Sequence, residues 1–98
     1  MTVLSLDLGT KTGWATKAGS NIVHGTATFA NSRYEGGGMR YLKFRKWLDR
    51  QLDHLMPPLV VCYEEVRGHK GTDAAHVYGG LLATLTSWCE ERSIPYEG

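Results

Sequence analysis

Residues 2–7 alternate in character, with Leu4 and Leu6 on one side and Val3, Ser5 and Asp7 on the other. That two-residue period, with apolar residues in both sets, predicts a strand packed on both sides. Residues 13–17 and 21–29 read as two further strands joined by the short Gly-containing link "KAGS", which together with the first strand predicts a three-strand antiparallel meander. "NSRYEGGG" breaks the pattern as a loop, and its three consecutive glycines, 36–38, are expected to hinge the entry to the next element. From residue 39 to about 56 the period becomes helical, with Tyr41, Phe44, Leu48, Leu52 and Leu55 within one third of the wheel, and Pro57 and Pro58 end it. "LVVCYEEV", residues 59–66, is a near-continuous apolar run that predicts a central strand covered on both faces. After the basic loop "RGHKG", Thr72 or Asp73 is expected to cap a second helix reaching about residue 92, with an apolar stripe that includes Val77, Tyr78, Leu81, Leu85 and Trp88. "SIPYEG" opens one more strand.

Strand, strand, strand, helix, strand, helix, strand is the order of an α/β mixed sheet, in which an antiparallel meander is joined to parallel strands by right-handed helical crossovers. The chain has 98 residues, which suits a single domain, 1–98, with one core and little margin for strain. Its hydrophobic content of 42% beside 21% charged residues excludes a disordered chain. No basic leader precedes an apolar run, and no stretch approaches the roughly 20 apolar residues of a membrane span, so the expectation is a cytoplasmic protein. Cys62 and Cys89 fall inside apolar patterns without metal-ligand spacing, and are expected to be reduced and buried. A net charge of +1 leaves polyanion binding to local patches.

Asp7 and Glu64 close the two most apolar strands. The carboxyl edge of an open α/β sheet is where ligand sites collect, and if the first and fourth strands are neighbours these two anions face each other. Two adjacent carboxylates repel unless one is protonated or a cation lies between them, and hard oxygen donors favour Mg²⁺ or Mn²⁺. Glu65 points away from Glu64 by alternation, so only one of the two can join Asp7.

"LSLDLGTKTGWA" and "VVCYEEVRGHKGTDAAHVYGGLLATL" resemble the first and second motifs of the RuvC Holliday-junction resolvases. The resemblance covers nearly the whole chain and implies the RNase H-like fold and Mg²⁺-dependent phosphodiester hydrolysis by two ions about 4 Å apart. It places Asp7 as the metal-bridging aspartate and Glu64 as the strand-end glutamate, both catalytic, with Gly9 and Gly13 clearing space beside them. It implies branched DNA as the partner, met by Thr10, Lys11, Arg67, His69 and Lys70, with His69 also a possible proton donor. Arg67 stands where the family often carries an inserting aromatic residue. The family's remaining carboxylates lie on a C-terminal helix that has no counterpart here. The chain is therefore expected to be the N-terminal two-thirds of such a domain, inactive or nearly so alone.

Two helix faces add expectations of their own. Gly79, Gly80, Ala83, Thr86 and Ser87 form a small-residue face opposite the stripe of the second helix, inviting the missing helix or the second subunit of a homodimer. Arg40, Lys43, Lys46 and Arg50 form a basic arc on the first helix, with Trp47 placed among them to stack on an unpaired base. Three other readings compete. "DLGTKTG" also resembles the phosphate loop of the actin and hexokinase ATPases, which need a second such loop. The YqgF-like RNA-processing nucleases share the fold and first motif. A non-catalytic DNA-binding or assembly module would keep the fold without the C-terminal acids.

Overall fold

The computed structural model describes residues 1–66, 68–69 and 71–98. Strands β1 (Thr2–Asp7), β2 (Lys11–Ala18) and β3 (Asn21–Thr28) form the antiparallel meander, followed by α1 (Met39–Leu52), β4 (Leu59–Tyr63), α2 (Thr72–Glu91) and β5 (Tyr96–Glu97). The five strands make one mixed sheet in the order β3-β2-β1-β4-β5, with β4 parallel to both β1 and β5. Gly19 takes a φ of 62° at the first position of the two-residue turn between β2 and β3, where a tight antiparallel connection needs a left-handed backbone.

Several boundaries differ from the sequence pattern. The β1–β2 turn is shorter than expected because the buried Thr12 hydroxyl donates to the Gly9 carbonyl at 2.6 Å and accepts from the Gly9 N–H at 3.3 Å. α1 ends four residues early. The Met56 carbonyl accepts from the Thr2 hydroxyl at 2.7 Å and the Pro58 carbonyl from the Thr2 N–H at 2.9 Å, so the chain has already left the helix to align with β1. At α2 the capping position is Gly71, with φ 102°, rather than Thr72 or Asp73; Asp73 sits in the first turn, where the helix dipole favours an acid. The glycine-rich loop before α1 is stapled by Glu35, which accepts from the Ser32 N–H and the Lys43 ammonium, both at 2.6 Å. The Lys43 bond holds the Glu35 carboxyl below the ordinary glutamate range, with the Ser32 bond adding to it.

Both helices pack on the face of the sheet that carries Leu4, Leu6 and Val61. Phe44 and Leu48 from α1 meet Leu81, Leu85 and Trp88 from α2 over these strands, all of them fully buried. Trp47 belongs to this core, 8% exposed, with ring centroids 5.9 Å from Phe29 and 6.3 Å from Trp14. It therefore cannot stack on a base from the α1 surface, and the basic arc loses its aromatic. Lys43 is committed to Glu35 and to the Ala30 carbonyl, which reduces the arc further. Asp49 joins the helices, its Oδ1 accepting from Trp88 Nε1 at 2.9 Å and from Arg92 Nη2 at 2.7 Å.

The expectation of strands covered on both faces fails at β1, where Ser5 and Asp7 are exposed. Among the described residues, the helices lie against one face only and leave the other open. Both cysteines are free. Burial pushes the Cys89 thiol up to about 11, with Glu90 adding to the effect. Burial and the Glu97 carboxylate raise the half-buried Cys62.

Gly80 is not part of an external face: a Cβ there would overlap the ring of Tyr41, so α1 itself fills the space expected for another helix or subunit. Nothing lies within 4 Å of the same position on Gly79, which is exposed. Gly79→Ala should therefore stabilise the fold by about 0.5–1 kcal/mol through helix propensity, whereas Gly80→Ala should forfeit that gain by expelling Tyr41. Urea denaturation of the two variants checks the difference; equal stabilisation would show that Tyr41 does not need the gap.

Candidate metal-binding and nucleic-acid site

The parallel register pairs Ser5 with Cys62 and Leu6 with Tyr63, and the Glu64 N–H continues the ladder by donating to the Leu6 carbonyl at 3.1 Å. Asp7 and Glu64 thus occupy matching positions at the ends of adjacent strands, on the face left open by the helices. On the other side of β1, Asp7 pairs with Gly13. Both carboxylates line a shallow cleft of about 390 Å³ whose floor is made of the small residues Ser5, Gly13, Ala15 and Cys62. Both are exposed. Glu65 does not line this cleft, so the strand phase brings Glu64 to Asp7. Glu97 lies on the same face opposite Cys62, its Oε1 3.9 Å from Cys62 Sγ, further from the strand ends.

β4 stops at Tyr63 because Tyr78 of α2 takes over its backbone. The Tyr78 hydroxyl donates to the Glu64 carbonyl at 3.0 Å and accepts from the Val66 N–H at 3.1 Å. One buried phenol therefore sets the path of the chain on both sides of Glu65, and with it the position of Glu64. The helical stripe marked Tyr78 as core; its polar tip was the unused signal, since a buried Tyr hydroxyl needs a partner. Tyr78→Phe should cost about 1–2 kcal/mol, because the Glu64 carbonyl and Val66 N–H lose their partner. Faster hydrogen exchange at Val66 than in the wild type checks that the loss is local to this bend.

The remaining expected residues divide between two places. Lys11 is exposed and shares the strand face of Gly13, two residues from it, but does not itself line the acidic cleft. Thr10 and His69 lie on the helix side, lining a separate cleft with Gly9 and Arg40, so His69 does not overhang the carboxylates. Its ring centroid is 5.0 Å from that of Tyr78. Arg67 and Lys70 lie outside the described residues. Gly9 is in a tight place, where a Cβ would stand 3.3 Å from the Lys11 carbonyl. At Gly13 a Cβ would stand 3.6 Å from the Asp7 Cβ, an ordinary contact, so there is room there for a methyl group.

Two carboxylates side by side in an open, solvent-reached cleft suit a Mg²⁺-sized ion, which keeps several waters and takes one or two protein carboxylates. Among the described residues no group of three or more His, Cys, Asp or Glu side chains is placed to hold a metal. No helix among them is long and apolar enough to cross a membrane.

The five-strand mixed sheet with its flanking helices has the RNase H-like fold. In particular, the chain is similar to Thermus thermophilus RuvC solved in complex with a Holliday junction substrate, with a TM-score of 0.79 and 18% identity over 100% of this chain and 64% of that one. A second structure of Thermus thermophilus RuvC gives a TM-score of 0.75 at 18% identity, covering 100% of this chain and 63% of that one. The chain thus spans just under two-thirds of each resolvase chain. No protein-family profile and no curated relative matches the sequence.

Proposed function

We propose that this chain is the part of a divalent-metal-dependent nuclease that carries the first two carboxylates, with branched DNA, a four-way junction in particular, as its substrate. The observation that supports this reading most directly is the meeting of Asp7 and Glu64 in one open cleft at the carboxyl edge of two adjacent parallel strands. The likeness to a resolvase bound to a Holliday junction supports the substrate class.

In this reading Asp7 and Glu64 hold Mg²⁺, or Mn²⁺ in its place. The cation would supply Lewis-acid polarisation of the phosphodiester and activation of water. The chain's own contribution is positional. β1 and β4 hold the two carboxylates rigidly, the small floor of Ser5, Gly13 and Ala15 leaves room for a backbone phosphate, and Tyr78 fixes the bend that carries Glu64. Lys11, exposed on the strand face of Gly13, offsets the repulsion between DNA and the acids. Residues 1–98 act as one domain, and full activity draws on further carboxylates. A homodimer, where it forms, meets along Gly79 and Ala83 rather than Gly80; sedimentation velocity finding only monomer would count against that contact.

The test is incubation with Mg²⁺ and, in parallel, a four-way junction, a linear duplex and a structured RNA. Preferential binding and nicking of the junction supports the resolvase reading, and preference for RNA supports the YqgF-like alternative. Among the described residues, Asp7 and Glu64 are the acids that line the cleft and no group of three or more metal-ligating side chains forms, which favours one second reading, a module that binds junctions without cutting them. Tight junction binding with no nicking at any Mg²⁺ or Mn²⁺ concentration would select it.

A further inference from the structure

A second cleft, of about 370 Å³, opens on the helix side of the β1 end, between the β1–β2 turn and the first turns of α1 and α2. Three side-chain donors line it: the Thr10 hydroxyl, the Arg40 guanidinium and the His69 imidazole. None makes a side-chain hydrogen bond or ion pair among the described residues, and Arg40 Nε is buried without any acceptor. Arg92 Nη1 is also buried without a hydrogen-bond partner, but Arg92, like Lys43 and Arg45, pairs with a carboxylate, and among the described residues Arg40 does not. An arginine cannot relieve such a position by losing its proton, so a half-buried guanidinium with an unmet donor is a ready partner for an anion that reaches it. The one acid in the lining, Asp73, makes no ion pair with Arg40, and the cleft continues past both into a neighbouring one reached by His76.

We propose that this cleft is a phosphate-binding subsite, centred on Arg40 with Thr10 and His69, that grips a phosphodiester of the DNA backbone on the side of β1 away from the carboxylate pair. Phosphate fits the donor set because its several acceptor oxygens can meet a forked guanidinium, a hydroxyl and a ring N–H together. The assignment to DNA rests on the nucleic-acid reading above; the existence of a phosphate site does not. A strand crossing the carboxyl edge of the sheet is then held on both sides of Asp7, and Asp73 weakens the grip by its charge.

The experiment omits divalent metal so that cleavage does not enter, and has two arms. In the first, inorganic phosphate is titrated into the wild-type chain while the Arg40 Nε–H resonance is followed by ¹⁵N NMR. In the second, a short-armed four-way junction is bound over a range of salt concentrations by the wild type, Arg40→Gln, Arg40→Lys, Thr10→Val and Asp73→Asn. A saturable shift of the Arg40 resonance is expected in the first arm. In the second, Arg40→Gln should weaken binding roughly tenfold and lower the salt slope by about 0.9. Arg40→Lys should keep the slope and lose affinity, Thr10→Val should weaken binding, and Asp73→Asn should tighten it roughly two- to threefold.

Arg40→Gln and Arg40→Lys both binding the junction with wild-type affinity and slope would overturn the subsite while leaving the nucleic-acid reading standing. A saturable phosphate shift in a chain that binds no junction would uphold the phosphate site and remove the DNA assignment. No shift and no effect of the variants would overturn the inference outright.

Discussion

Asp7→Asn should leave junction binding intact, or strengthen it, and remove metal-dependent cleavage wherever the wild type shows it. The substitution preserves shape and removes one negative charge from the cleft that Asp7 and Glu64 share. A neutral amide is a poor ligand for a hard cation, and the polarisation such an ion provides is worth several kcal/mol, or roughly 10³-fold in rate. DNA affinity moves the other way, because an anion facing the phosphate backbone has been deleted. Mn²⁺ titration monitored by paramagnetic broadening gives a readout independent of cutting. In the wild type the amides of Asp7, Gly13 and Glu64 should broaden together at low Mn²⁺; in Asp7→Asn they should not. Cleavage persisting at the wild-type rate in the variant, or Mn²⁺ broadening a different region, would displace the site from this edge of the sheet.

Phe44→Ala is expected to be among the most damaging truncations in the core, lowering stability by about 3–5 kcal/mol out of the roughly 5–15 typical of a domain. Phe44 is fully buried on α1, its ring centroid 5.2 Å from Phe29 and 6.4 Å from Trp47. Removing it opens a cavity between the helix and the end of β3, and Phe29 and Trp47 cannot close it without leaving each other. Among the described residues of this 98-residue chain there is one core cluster and no second one to compensate. Urea denaturation should show a lower midpoint with an unchanged m-value, and Phe44→Leu should lose much less. A lower m-value instead would mean that the variant's native state had loosened.

The open face of the sheet explains why the acidic cleft exists. Both helices follow crossovers of the same hand and so cover the same face, leaving Ser5, Asp7, Gly13 and Glu64 reachable from outside. Alternation in residues 2–7 separated Leu4 and Leu6 from Ser5 and Asp7 without showing that only the first pair would be covered, because a strand's period assigns faces and says nothing of what packs on them. Trp47 failed for a related reason. Its position on the wheel borders the core stripe, and a side chain that large reaches inward to Trp14 and Phe29 even from the border. Gly80 looked like an invitation to a partner, since the sequence does not show that Tyr41 of the neighbouring helix already fills the space.

From its amino acids alone, this protein's element order, the mixed sheet and the candidacy of Asp7 and Glu64 were readable, because periodicity, turn residues and strand-end carboxylates are local properties. The resemblance had already singled out Glu64 over Glu65, and the cleft lining agrees with it; tertiary structure alone decided that Tyr78 holds the bend beside it, and that Arg40, Thr10 and His69 converge on a second cavity. Each of these depends on contacts between segments distant along the chain, whose distances and directions are set only when the helices dock on the sheet.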